Sequence, residues 1–142
     1  MRLLRFLVLF GVLLSTGLGG ADIDLIQPGQ AVGELHNALV IHVGFPVLYR
    51  SVHIPGSVYA GPGSKEEGLA DLRRAVAGQP KTREIILYCG CCPFDKCPNI
   101  RPAFAALRAM GFTRVKAMDI PTNFRTDWID KGYPTEKRAE GQ

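Results

Sequence analysis

The chain has 142 residues, with 17 Lys and Arg against 13 Asp and Glu and a formal charge of +4. That length suits one ordinary domain, and the modest basic excess is scattered without aromatic interleaving, which excludes a nucleic-acid partner.

The opening Met1-Arg2-Leu3-Leu4-Arg5 is basic, and an apolar run from Phe6 to Leu14 leads into the small residues Ser15, Gly17, Gly19, Gly20 and Ala21. This order predicts a signal peptide over 1–21, cleaved after Ala21. Interrupted by Gly11 and Ser15, the run falls short of the ~20 residues that span a bilayer, so no stable membrane anchor is expected. The mature chain, 22–142, is expected to be a single exported domain, periplasmic or secreted. Losing Arg2 and Arg5 leaves it 15 basic residues against 13 acidic ones, a charge of +2.

Beyond the opening Asp22 to Gln30, a short helix is predicted over 31–37. Ala38 to Val43 reads as a buried strand by its β-branched content, interrupted by His42. Tyr49 to Tyr59 contains the Pro55-Gly56 turn, and Ala60 to Glu67 is rich in structure breakers. Leu69, Leu72 and Val76 then recur at helical spacing over 68–77, with Arg73 and Arg74 outward. Gly78-Gln79-Pro80 ends that helix.

Ile85-Ile86-Leu87-Tyr88 reads as a fully buried strand, and it feeds a loop that holds every cysteine of the chain: Cys89, Cys91, Cys92 and Cys97. A helix follows, its apolar face formed by Ile100, Ala103, Phe104, Leu107 and Met110 and its end set by Gly111. A short strand over 114–119, then Trp128 and Gly132-Tyr133-Pro134, complete the domain, and the polar tail 135–142 is expected to fray.

Strands and helices in this order predict an α/β fold with a small, mostly parallel sheet and helices on both faces. Such sheets bind ligands at the carboxyl ends of their strands, where Cys89 falls. A thiolate needs a positive environment to exist near neutral pH, and a strand-to-helix loop supplies converging N–H groups and a helix N-terminus. Thiol chemistry is therefore expected here. Export places these thiols where cysteines tend to pair, and the four allow three pairings among which the residues do not choose.

Val40 to Val43, the turn His53-Ile54-Pro55-Gly56-Ser57, the strand ending Tyr88-Cys89, Leu107 to Phe112, and Trp128 with Gly132-Tyr133-Pro134 together resemble the successive landmarks of a rhodanese domain. The resemblance covers nearly the whole mature chain. It implies a rhodanese-like fold and a sulfurtransferase activity, in which Cys89 takes a sulfane sulfur as a persulfide and passes it to a thiol or other thiophilic acceptor. The donor would be a small molecule such as thiosulfate, the acceptor a thiol or a partner protein, and no cofactor is implied.

The loop departs from the family pattern, which runs from the cysteine through a glycine to an arginine and a serine or threonine within about half a dozen residues. Here Cys89 is followed by Gly90-Cys91-Cys92-Pro93-Phe94-Asp95-Lys96-Cys97-Pro98-Asn99. Cys91 offers a second register, with Lys96 five residues on and Cys97 at the serine position; Cys89, which directly ends the strand, is preferred. The aspartate and arginine that usually follow the first strand are replaced by His42 and Gly44, and the paired glycines before the final tryptophan by Pro121-Thr122-Asn123. A related phosphatase loop would carry an arginine six residues after its cysteine, and the positions there are Asp95, Cys97 and Pro98 for the three registers.

Three chemistries remain. In sulfur transfer, Cys89 is the nucleophile, Lys96, Gly90 and Arg101 bind the donor, and Cys91, Cys92 and Cys97 are second nucleophiles or resolving thiols. In a redox relay, Cys89 or Cys92 pairs with Cys97. In a binding module, the four cysteines hold copper or zinc, but their spacing lacks paired Cys-x-x-Cys knuckles and no metal site is assigned. His36, His42 and His53 have no ligand spacing to the cysteines and are read as structural.

Overall fold

A computed structural model describes residues 22–137. The signal-peptide reading falls on 1–21, outside the described residues.

Ile85–Tyr88 forms β4, and all four of its residues are buried, as expected for a strand with elements on both faces. It pairs in parallel with β2 (Leu39–His42) on one side and β5 (Val115–Met118) on the other. The two-residue strands β1 (Leu25–Ile26) and β3 (Val58–Tyr59) close the edges, giving an all-parallel sheet in the order β1-β5-β4-β2-β3.

Because side chains alternate across a strand, β4 divides the core. Ile85, Leu87 and Cys89 face one cluster with Leu72, Val76, Phe104 and Leu107; Ile86 and Tyr88 face another with Ala31, Ile54 and Trp128. Helices α3 (Glu66–Ala75) and α4 (Ile100–Ala109) cover the first face and α1 (Pro28–Glu34) the second. The expected α/β architecture is thus realised, with Cys89 at the carboxyl end of the central strand, on the α4 side.

Two boundaries differ from expectation for local reasons. Helix α1 starts at Pro28, three residues before the predicted start, because proline at the first helical position needs no N–H and has φ already set. Pro46 opens a further helix, α2 (Pro46–Ser51), in a stretch that shows no helical apolar spacing, and none of its residues is buried.

The His53–Ser57 turn is fastened to β4. The Tyr88 hydroxyl accepts the Ile54 N–H at 3.1 Å and lies 3.1 Å from the Ser57 hydroxyl. His53 stacks on Tyr49 and exchanges backbone hydrogen bonds with Glu136, whose carboxylate also reaches the His53 ring at 3.1 Å. His53 is therefore structural, as read, and the tail expected to fray from 135 is pinned at Glu136; residues 138–142 lie outside the described part.

Candidate functional site

β4 delivers Cys89 to a loop that turns at once. Gly90 has φ +85°, a left-handed conformation that L side chains rarely adopt, and a Cβ there would stand 2.6 Å from the Phe124 Cβ. The Gly90 carbonyl accepts the Phe124 N–H at 3.1 Å, and the Phe94 N–H is bonded to the Ile120 carbonyl at 2.9 Å, so the loop is laced to the segment after β5. In that segment the Asp127 carboxylate accepts the N–H groups of Thr122 and Asn123 at 2.6 and 3.0 Å. These bonds shape the far wall where the family's paired glycines are missing, and a π-helical turn, Arg125–Ile129, buries Trp128 behind it.

The loop, tightened by a 3₁₀ turn over Phe94–Lys96, folds the sulfurs together. Cys89 Sγ lies 3.3 Å from Cys91 Sγ, Cys91 Sγ lies 3.0 Å from Cys92 Sγ, and the sulfurs of Cys89, Cys91 and Cys97 are all within 4.8 Å of one another. All four cysteines are free thiols. Among the described residues, Cys89, Cys91 and Cys97 are the side chains gathered closely enough to hold a metal ion.

Asn99, completely buried at the head of α4, holds the Cys89 thiol in place. Its Oδ1 accepts the Ser64 N–H at 3.1 Å and its Nδ2 donates to Cys89 Sγ at 3.4 Å. An asparagine directly before an apolar helical pattern is the ordinary N-cap signal, but this side chain makes no cap bond to α4 and is turned instead to Ser64 and Cys89, which no local pattern foretells. His42 fills the other flank. Its Nδ1 accepts the Gly44 N–H at 3.3 Å, and the ring also bonds the Cys89 backbone. A Cβ on Gly44 would come within 2.8 Å of Cys89 Sγ, so the glycine in place of the family's arginine makes room for the thiol.

The protonation pattern follows from these contacts. The Cys89 thiol is pushed well above the ordinary thiol value by its bond to Cys97 and then by burial. Cys97 is drawn down to about 6 by that same bond and by the backbone N–H groups of Asn99 and Ile100 at the start of α4. The two thiols are therefore coupled, and the backbone N–H groups at the start of α4 favour the negative charge on Cys97. Cys92 is pushed up to about 12 by burial and by Cys91.

Burial lowers His42 to about 4 and keeps it neutral at physiological pH. Unfolded, the same histidine takes a proton near 6.5, so the unfolded state binds more protons between about 6.5 and 4 and stability falls as pH falls through that window. The expected loss is roughly 3 kcal/mol. Urea unfolding at pH 7 and pH 4.5 checks it, and a His42→Asn chain should show a much flatter acid limb.

Cys89, Gly90 and Cys91 line an open cavity of about 470 Å³ together with His42, Phe124 and Arg125. Two of the basic residues expected to bind a donor stand away from this cavity. Lys96 is exposed on the 3₁₀ turn and does not line this cavity, and Arg101 instead sits over the Phe94 ring at 5.4 Å. The basic side chain at the cavity is Arg125, carried round by the π-helical turn from a stretch with no local motif. Exposed and screened, it is expected to attract a small anion without fixing it: Arg125→Ala should weaken the binding of an anion such as sulfate, titrated by calorimetry, only a few-fold.

No family model matches the sequence, and no curated protein matches it. Solved structures do. The rhodanese-like domain of the Alr3790 protein from Anabaena sp. superposes with a TM-score of 0.59 at 19% identity, covering 85% of this chain and 87% of that one. The BH2092 protein of Bacillus halodurans superposes with a TM-score of 0.61 at 20% identity, over 80% of this chain and 77% of that one. A thiosulfate sulfurtransferase from Pseudomonas aeruginosa gives 0.60 at 19% identity over 82% of this chain, which spans 21% of that protein's length. With its five-stranded parallel sheet and a cysteine closing the central strand, the chain has the rhodanese-like fold.

Proposed function

We propose that the domain is a sulfurtransferase that carries a sulfane sulfur on Cys89 as a persulfide. The observation that carries this reading is the placement of Cys89 at the carboxyl end of β4, lining the cavity, hydrogen-bonded by Asn99 and with the Cys97 sulfur within 4.8 Å. The Pseudomonas aeruginosa structure supports a small sulfur donor by its name.

In the first step the Cys97 thiolate takes the proton of Cys89 while Cys89 Sγ attacks the outer sulfur of thiosulfate. The sulfur–sulfur bond of the donor breaks, and sulfite leaves with its electron pair. Cys97 thus serves as the general base for the nucleophile. The persulfide bears its charge on the terminal sulfur, and the Cys91 N–H, which bonds the Cys89 sulfur, is the loop's donor nearest to it. An acceptor thiolate then attacks that sulfur, a new persulfide departs on the acceptor, and Cys89 regains the proton from Cys97.

The test is sulfite release. Reduced mature protein mixed with thiosulfate and a thiol acceptor should release sulfite in proportion to protein and through many turnovers. Release no faster than in the protein-free control would overturn the reading. Export to the periplasm or beyond is part of the same proposal, resting on the charge and apolar pattern of 1–21; an N-terminal sequence of the protein from its native cell starting at Asp22 is the expected result.

A further inference from the structure

We propose that Cys89, Cys91 and Cys97 form a three-sulfur binding site for a soft monovalent cation, copper(I). Spacing alone speaks against a metal site, because the loop lacks paired knuckles. The fold removes that objection: the end of β4, the loop and the start of α4 gather the three sulfurs to within 4.8 Å of one another. Cys89 and Cys97 are buried, and Cys91 is partly exposed at the cavity, which provides an entry path.

The donor set selects the ion. Among the described residues, no carboxylate or imidazole joins this cluster, so cations that require oxygen ligands have nothing to bind. Thiolates select copper(I) or zinc. Structural zinc is completed by a fourth ligand, whereas Cys92, 3.0 Å from Cys91, stands outside the three-sulfur set. Three sulfurs satisfy copper(I).

The surroundings also suit bound thiolates. The Asn99 amide donates to Cys89 at 3.4 Å, and the backbone N–H groups of Asn99 and Ile100 are directed at Cys97. Any proton still on a ligating sulfur goes to solvent as the ion binds, and no electron is transferred. The site shares Cys89 with the proposed sulfur carrier but does not depend on that activity.

The experiment titrates copper(I) into the reduced protein under anaerobic conditions against a colorimetric copper(I) chelator, with X-ray absorption on the product. One copper per chain withdrawn from the chelator, a sulfur-only shell, and at least about tenfold weaker retention in both Cys91→Ser and Cys97→Ser are expected. Two variants guard against one that fails to fold, and Cys92→Ser should retain copper as the parent does. Four results would overturn the site: no copper withdrawn; uptake rising past one equivalent without saturation; equal losses in Cys92→Ser and Cys91→Ser; or zinc displacing copper in a four-sulfur shell.

Discussion

Cys89→Ser should reduce sulfite release from thiosulfate to background, while Cys97→Ser should leave a slow residual rate, lower by about 10² to 10⁴ as for loss of a general base. The two thiols are coupled but have different tasks. A serine hydroxyl at position 89 cannot accept and carry a sulfane sulfur, so nothing remains to turn over. A serine at 97 still lets Cys89 attack, but without an adjacent base, from a thiol that burial keeps protonated. The pH profile separates these roles. Wild-type uptake requires the Cys97 thiolate, so it should rise as pH increases through about 6 and level off above it. In Cys97→Ser that inflection should vanish and the rate should climb only toward alkaline pH, as Cys89 itself ionises. Stopped-flow sulfite detection from pH 5 to 9 gives both curves, and an inflection near 6 that survives in Cys97→Ser would assign it to another group.

Gly90→Ala should destabilise the protein by about 2 to 5 kcal/mol, combining roughly 1–2 kcal/mol for a left-handed L residue with about 1–3 kcal/mol for overpacking. The added Cβ would stand 2.6 Å from the Phe124 Cβ, and Phe124 is itself held by the hydrogen bond to the Gly90 carbonyl. Relief of the clash must move either the loop carrying Cys89 or the wall carrying Arg125, so activity should fall even at temperatures where the variant stays folded. Urea unfolding measures the stability, and sulfite release at 10 °C measures the rest. A variant as stable as the parent would show that the loop has a second conformation open to it.

The framework was legible because its signals are local. The apolar run Ile85-Ile86-Leu87-Tyr88, the helical spacing from Ile100 to Leu107 and the His53-Ile54-Pro55-Gly56 turn each state their structure within a few residues. Both edge strands escaped because two residues, Leu25–Ile26 or Val58–Tyr59, cannot display an alternation. At the site, the strand end picked out Cys89, but nothing in the order of the loop said which cysteines would meet. That depends on Gly90 turning left-handed and on the bonds from Phe94 and Phe124 that fold the loop back. Arg125 was out of reach for the same reason: it arrives from beyond β5, whereas Lys96 and Arg101, near in sequence, end up exposed. His42 shows the limit of reading one residue as either structural or functional, since burial and hydrogen bonding make it a neutral support that also lines the cavity.

The most direct measurement is the intact mass of the reduced, metal-free mature protein before and after thiosulfate, followed by alkylation and peptide mapping. The account predicts the mass of one added sulfur atom, located on the peptide that contains Cys89 and removed by an acceptor thiol. An unchanged mass, or an added sulfur carried by Cys91 in a Cys89→Ser chain at the parent's rate, would contradict it.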